Sequence, residues 1–272
     1  MKIQEINSFD KYEDFIYELA ESPLYSDPHF TYCKDNLYQS LRKKDQYAFA
    51  VSQNETTVGL FVWLIIPDSQ YIEMIIGFTK NEEVFNVMLS YIERNYCGYN
   101  MDFVFSPLNS AISNPLNKKG AIFYPEQQKM ILTKLSPIVS THRIEPLSEK
   151  WIEQYCELHN VNTYWTAERI LLAQDKFRVL LAIKNGQVQG YLDVQYCYDI
   201  NEIYDLFIKP EAAQQGYELA LLAKAIEMNK PNKIMVVVDV DAKTEIELYT
   251  IAGFEKLKGQ NSITASYQIK EL

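Results

Sequence analysis

The 272 residues carry 26 Lys and Arg against 36 Asp and Glu, a formal charge of −10, and 47% are hydrophobic against 23% charged. That balance belongs to an ordinary globular chain with room for one large domain or two smaller ones. The negative field disfavours nucleic acid and anionic membrane surfaces, and none of the nine glycines builds a GxGxxG or GxxxxGK spacing, which excludes dinucleotide folds and P-loop NTPases.

From the start of the chain, Met1 to Asp10 shows acids and no apolar leader run, and the longest apolar run, Val58 to Ile66, is far short of the ~20 residues of a membrane span. A cytoplasmic protein is expected. Cys33, Cys97, Cys156 and Cys197 form no CxxC pair and read as buried thiols. His29, His142 and His159 form no closely spaced pair, so no metal is expected and each reads as a surface or packed histidine.

The next signal is an internal repeat. Ala48 to Trp63 reads AFAVSQNETTVGLFVW, strand, turn and strand; Leu180 to Val194 reads LLAIKNGQVQGYLDV, the same pattern with Asn-Gly in the turn. Asn54 matches Asn185 and Gly59 matches Gly190, and 185 − 54 and 190 − 59 are both 131. Each half continues with a strand (Ile72 to Phe78; Ile203 to Ile208), a helix, a strand (Met101 to Phe105; Lys233 to Val238) and a Gly leading to Phe (Gly120, Phe123; Gly253, Phe254). The apolar spacing predicts helix faces of Val84, Val87, Met88 and Tyr91 in the first half, and of Leu219, Leu222, Ala223 and Ile226 in the second. A further helix, Ser148 to His159, opens the second half with Trp151, Ile152, Tyr155 and Leu158 on one face. The expected architecture is α/β, with mixed sheets in two tandem domains, 1–135 and 141–272, joined near 136–141 around Pro137 and Ser140. A crossover helix should join two parallel strands in each.

Ile203 to Leu222, IYDLFIKPEAAQQGYELALL, resembles the GNAT superfamily of N-acetyltransferases: a strand ending in Ile-x-Pro (Ile208, Pro210), a loop with Gly216, then an amphipathic helix. Leu248 to Phe254, LYTIAGF, resembles the family's Leu-Tyr-x-x-x-Gly-Phe segment. The resemblance covers 141–269 and reaches 1–135 only through the repeat. The family's loop pattern, Arg/Gln-x-x-Gly-x-Gly/Ala, puts Ala213 and Glu218 at two positions where they depart from it. The first-half loop, Gly77 to Glu83, lacks the pattern, which makes that half a degenerate copy.

The resemblance implies acetyl-CoA as acyl donor, bound by Leu206, Phe207 and Ile208 on the strand and by Gln214, Gln215, Gly216, Tyr217 and Glu218 at the helix start, where backbone N–H groups meet the pyrophosphate. It implies that Glu202 takes the proton of an amine whose pKa lies near ~10, that strand N–H groups polarise the thioester, and that Tyr249 protonates the thiolate. The acceptor is then a small-molecule or peptide amine, and the negative charge steers cationic ones. The other reading is a non-catalytic GNAT-like module that binds a CoA thioester or a protein partner; Ala213 and Glu218 favour it.

Overall fold

A computed structural model of the chain describes residues 1–135, 142–161, 163–196 and 200–270. Cys197 and the expected linker 136–141, with Pro137 and Ser140, lie outside the described residues.

The chain forms two compact units, Met1–Gln127 with Lys258–Leu272, and Gln128–Leu257. In the first half the order is β1 (Lys2–Ile6), α1 (Glu13–Ala20), α2 (Pro28–Tyr32), α3 (Asp35–Tyr38), β2 (Gln46–Gln53), β3 (Thr56–Ile66), β4 (Tyr71–Thr79), α4 (Glu82–Asn95), β5 (Asn100–Phe105), α5 (Ser110–Lys119), β6 (Ile122–Phe123) and β7 (Gln127–Leu132). The second half repeats it with one α-helix fewer between its first two strands: β8 (Arg143–Pro146), α6 (Ile152–Leu158), α7 (Ala167–Leu172), β9 (Phe177–Lys184), β10 (Gln187–Gln195), β11 (Ile200–Ile208), α8 (Tyr217–Asn229), β12 (Lys233–Asp239), α9 (Lys243–Ala252), β13 (Phe254–Lys256) and β14 (Ile263–Gln268). Strands β1 and β8 have no signal in the sequence reading; each is short and lies at a sheet edge.

The two seven-stranded sheets run β1-β2-β3-β4-β5-β14-β6 and β8-β9-β10-β11-β12-β7-β13. The strand order is identical once the last strands are exchanged: β7 follows β6 in sequence but joins the second sheet, and β14 follows β13 but joins the first. The first unit is therefore discontinuous, with the second, Gln128–Leu257, inserted in it, unlike a cut at 136–141. A hydrophobicity pattern cannot register this, because either sheet offers such a strand the same apolar face.

Alternation along the central strands gives each sheet two cores. On β3, Phe61, Trp63 and Ile65 face α4 and α5, while Leu60 and Val62 face α1 to α3. On β10, Leu192 and Val194 face α8 and α9, while Val188 and Tyr191 face α6 and α7. Two helix faces differ from the expected stripes. Helix α4 buries Val84, Phe85, Met88, Leu89 and Ile92, leaving Tyr91 exposed. Helix α8 buries Tyr217, Leu221 and Ala225 beside Leu222 and Ile226, with Leu219 and Ala223 half-buried. Both helices are apolar around much of their circumference, so spacing alone leaves the rotation open. The thiols also differ from the expectation: Cys97 is exposed and Cys33 and Cys156 are half-buried, since they sit at helix ends and helix surfaces rather than on central strands.

Irregularities repeat with the fold. Ile75 on β4 is skipped between the pairs Val62↔Ile76 and Trp63↔Met74, and Tyr204 on β11 is skipped between Asp193↔Asp205 and Val194↔Ile203. The β2–β3 and β9–β10 turns both use left-handed residues, Asn54 (φ 49) with Glu55 (φ 67), and Asn185 (φ 52) with Gly186 (φ 76). Glu55 carries a side chain where its counterpart is glycine. Glu55→Gly is expected to stabilise the first unit by roughly 0.5–1 kcal/mol, read as a higher urea midpoint; a lower midpoint would mean that the glutamate side chain makes a compensating contact.

Candidate active site

The site begins where two parallel strands part. Strand β11 pairs with β12 from Ile200↔Lys233 to Ile203↔Val236 and no further, although β11 runs on to Ile208 and β12 to Asp239. Residues 204 to 208 thus turn an unladdered edge toward an opening. Among the described residues, no side chain hydrogen-bonds to their backbone. At the end of the strand, Lys209 N–H donates to the Gln189 carbonyl at 2.8 Å, and a 3-10 turn, Pro210–Ala212, leads into the loop before α8.

That loop is held in a special shape. Gln214 (φ 60) and Gly216 (φ 84) are both left-handed, and Gly216 is the N-cap of α8 with no side chain to cap the first turn. The free N–H groups of a helix start make an anion site. Gln215 braces the loop: its carbonyl accepts from His142 Nε2 at 2.6 Å, its Oε1 from Lys184 Nζ at 3.2 Å, and its Nε2 donates to the Glu211 carbonyl at 2.9 Å. The His142 ring lies 4.0 Å from that of Tyr217, which is buried. A Cβ on Gly216 would meet only His142 Nε2, at 3.6 Å, so the glycine is there for its φ and its open approach rather than for packing.

The first unit has the same opening with its groups filled. Strand β4 pairs with β5 only from Tyr71↔Asn100 to Met74↔Phe103. Helix α2 packs on both β4 and β5, and its N-cap Asp27, buried, accepts from Phe30 N–H at 3.0 Å and from Gly77 N–H at 2.8 Å. His29 Nδ1 donates to the Ile75 carbonyl at 2.8 Å. Gly77 is the counterpart of Leu206, two residues past the skipped position in each strand. Burial pushes the Asp27 carboxyl up, and the His29 charge and the N–H groups of Gly77, Phe30 and His29 pull it back only in part. Helix α4 also differs: the Asn81 side chain accepts from Glu83 N–H at 2.8 Å, and Glu82 and Glu83 occupy its first turn. A protein carboxylate and an amide thus fill both places that stand open in the second unit.

Residues 144–254 match the family model described as Acetyltransferase (GNAT) family. This segment is a GNAT domain. No curated protein sequence matches the chain. Among solved structures, the tandem GNAT protein from the clavulanic acid biosynthesis pathway aligns over 100% of this chain and 99% of its own, at 12% identity and a TM-score of 0.64. A GCN5-related N-acetyltransferase from Sphaerobacter thermophilus aligns over 82% and 81%, at 12% identity and 0.63. A GNAT-family acetyltransferase from Colwellia psychrerythraea aligns over 99% and 100%, at 12% identity and 0.58. At these identities the likeness is one of fold, and it includes the first unit.

Within the GNAT unit the residues singled out in the sequence fall into three groups. Leu206, Ile208, Tyr217 and Tyr249 share one apolar cluster, with Gly216 beside Tyr217 and Gln214 exposed in the loop. Phe207 points to the α6 face of the sheet, stacked on Tyr191 at 5.8 Å. Glu218 is half-buried in the first turn of α8. Glu202 stands apart, in the part of β11 still paired with β12, and its charge acts on Lys129; burial pushes that lysine down to about 8, with Glu202 pulling the other way. Tyr249 is 5% exposed and packs edge-on against Phe254 at 5.6 Å. Burial first, then the charges of Glu245 and Asp205, raise its hydroxyl well above the usual phenol range.

Sequence reasoning missed a polar network on the α6 face of the sheet, made by Tyr155, His159, Tyr191, Asp193 and Asp205. The ligand-type atoms of His159, Asp193 and Asp205 lie within 4.8 Å of one another. The contacts of His159 with Asp193 and of Asp205 with Tyr191 are hydrogen bonds. The signal available was Asp193 itself, a carboxylate between the apolar Leu192 and Val194, where an ionisable group is almost never buried without partners.

Asp27→Ala leaves the Gly77 N–H without its acceptor in the core. A loss of roughly 2–3 kcal/mol in the unfolding of the first unit is expected, measured by urea titration of the full chain. A loss under about 0.5 kcal/mol would mean that water reaches this N–H and that the opening is not sealed.

Proposed function

We propose that the GNAT unit is an acetyl-CoA-dependent N-acyltransferase acting on a small-molecule or peptide amine, and that the first unit is a degenerate copy without an acyl-CoA site. The observation that carries this reading is the contrast between the two openings, open at β11 and α8 and filled at β4 and α4. The pyrophosphate fits the start of α8, where the N–H groups have no side-chain cap and the space beside Gly216 is open. The N–H groups of Leu206 to Ile208 that face the opening are placed to hold the thioester carbonyl, as oxyanion donors do. Tyr249, in the same apolar cluster as Leu206 and Ile208, supplies a proton to the departing thiolate. A carboxylate of β11 takes the proton of the ammonium: Glu202 at the paired end or Asp205 at the opening.

The charge of −10 favours a cationic acceptor through steering. Among the described residues no helix is long and apolar enough to cross a membrane; the expected cytoplasmic location is part of the proposal. The rival, a non-catalytic module, draws on Ala213 and on Glu218. A carboxylate facing a phosphate at ~4 Å costs on the order of 1 kcal/mol even when well screened.

Two measurements test the reading. Calorimetry is expected to show acetyl-CoA binding to the full chain and its loss in Gly216→Asp, which adds a carboxylate at the anion site; equal affinity in a folded variant moves the site elsewhere. Tyr249→Phe is expected to keep acetyl-CoA affinity within a few-fold while kcat falls about 10²- to 10³-fold. A fall under about tenfold in an active protein assigns Tyr249 to packing alone, and binding without any transfer supports the rival.

A further inference from the structure

Resting on the acyltransferase reading, we propose that Asp205 receives the acceptor's proton, and that Tyr191, with the buried His159–Asp193 pair behind it, holds this carboxylate at the opening. The skipped position on β11 is what presents it. Because Tyr204 is an extra residue in the strand, Tyr204 and Asp205 both turn toward the α6 side. Tyr204 anchors the segment after α6, its hydroxyl sharing a hydrogen bond with Thr163 Oγ1 at 2.7 Å and accepting from Trp165 N–H at 3.2 Å. Asp205 lies just beyond the last β11–β12 pair, Ile203↔Val236, whereas Glu202 lies before it.

The support for Asp205 is a chain of contacts. Its Oδ2 accepts from the Tyr191 hydroxyl at 2.7 Å. The Tyr191 ring stacks on His159 at 4.9 Å, 14° from parallel, and its hydroxyl accepts from Asn160 N–H at 3.4 Å. His159 Nδ1 donates to the Asn160 carbonyl at 3.0 Å, and Nε2 lies 2.9 Å from Asp193 Oδ2. Asp193 Oδ1 accepts from the Tyr155 hydroxyl at 3.0 Å. A carbonyl only accepts, so Nδ1 carries hydrogen, and a second proton is shared between Nε2 and the Asp193 carboxylate. Burial pushes Asp193 up to about 6 against the pull of His159 and Tyr155. Burial pulls His159 down, but the hydrogen bond and charge of Asp193 outweigh it and the net direction is up.

The groups that act electrostatically with Asp205 are Tyr191 and Asp193 from β10, His159 after α6, and Glu245 and Tyr249 from α9, with Asp239 of β12 acting on Glu245. The charge of Asp205 thus acts on Tyr249, the acid of the same reaction. In the reaction, an N–H bond of the ammonium breaks and its proton passes to Asp205. The freed lone pair forms the N–C bond to the acetyl carbon, the C–S bond breaks, and the thiolate takes a proton through Tyr249. The second nitrogen proton, lost as the amide forms, restores the tyrosine, and Asp205 returns its proton to water.

The test uses the full chain, acetyl-CoA, and CoA release with spermidine, tyramine and a lysine-containing peptide as probe amines. Asp205→Asn is expected to keep acetyl-CoA affinity within threefold, to lower kcat at least 10²-fold at pH 7, and to lose progressively less toward pH 9.5, where more amine is already neutral. Tyr191→Phe should lower kcat about tenfold, and adding it to Asp205→Asn should cost little more, because a positioning residue acts only through the group it positions. If Asp205→Asn does not fold, Asp205→Ser carries the same expectation. The proposal is overturned if Asp205→Asn transfers within threefold of the parent, if the pH-dependent loss appears in Glu202→Gln instead, or if the two substitutions are additive. Those outcomes leave the acyltransferase reading standing. A parent that binds acetyl-CoA and turns over none of the amines overturns both.

Discussion

A strand that leaves its neighbour must find new partners for its N–H and C=O groups, since a buried backbone donor left alone costs as much as a lost hydrogen bond. In both units the parallel pair after the crossover parts after four residue pairs, and what each unit does with the freed edge separates them. The first spends its own Asp27 and His29 on it. In the second, no described side chain hydrogen-bonds to the edge beyond Ile203. The same rule governs the helix that follows: Asn81 caps α4, and Gly216 leaves α8 without a side-chain cap.

The repeat reaches down to irregularities that binary patterning does not require. The skipped residues Ile75 and Tyr204 and the left-handed turns fall at matching places, although the side chains there have diverged. An extra residue in a strand turns its neighbours and strengthens the twist, and here it lies where the parallel pair ends. Conserving the backbone device while changing what fills it gives one closed and one open copy from a single plan.

Opening a sheet also places polar groups in a core, and each must be satisfied. The second unit does so with Tyr155, His159, Asp193, Tyr191 and Asp205, joined by contacts of 2.7 to 3.0 Å and by the stack of His159 on Tyr191. A buried ion pair of this kind is weak support for stability, because desolvation offsets much of the attraction. Its worth lies in direction: it ties the segment after α6 to β10 and so fixes what borders the opening.

The sequence by itself determined the two-fold repeat, the α/β class, the parallel crossover in each half and the loop and helix at Gly216, because turn residues, apolar periods and a strand-loop-helix motif are local properties. It also showed the loss of the loop pattern in the first half. Only the tertiary structure decided that β7 and β14 change places, since an apolar strand is equally acceptable to either sheet until the whole chain is paired. The same holds for which face of α4 and α8 is buried, and for the meeting of Asp27 with Gly77, fifty residues apart. It holds as well for His159 with Asp193 and Tyr191 with Asp205, where long-range packing sets which polar groups come within hydrogen-bonding distance and no spacing along the chain encodes it.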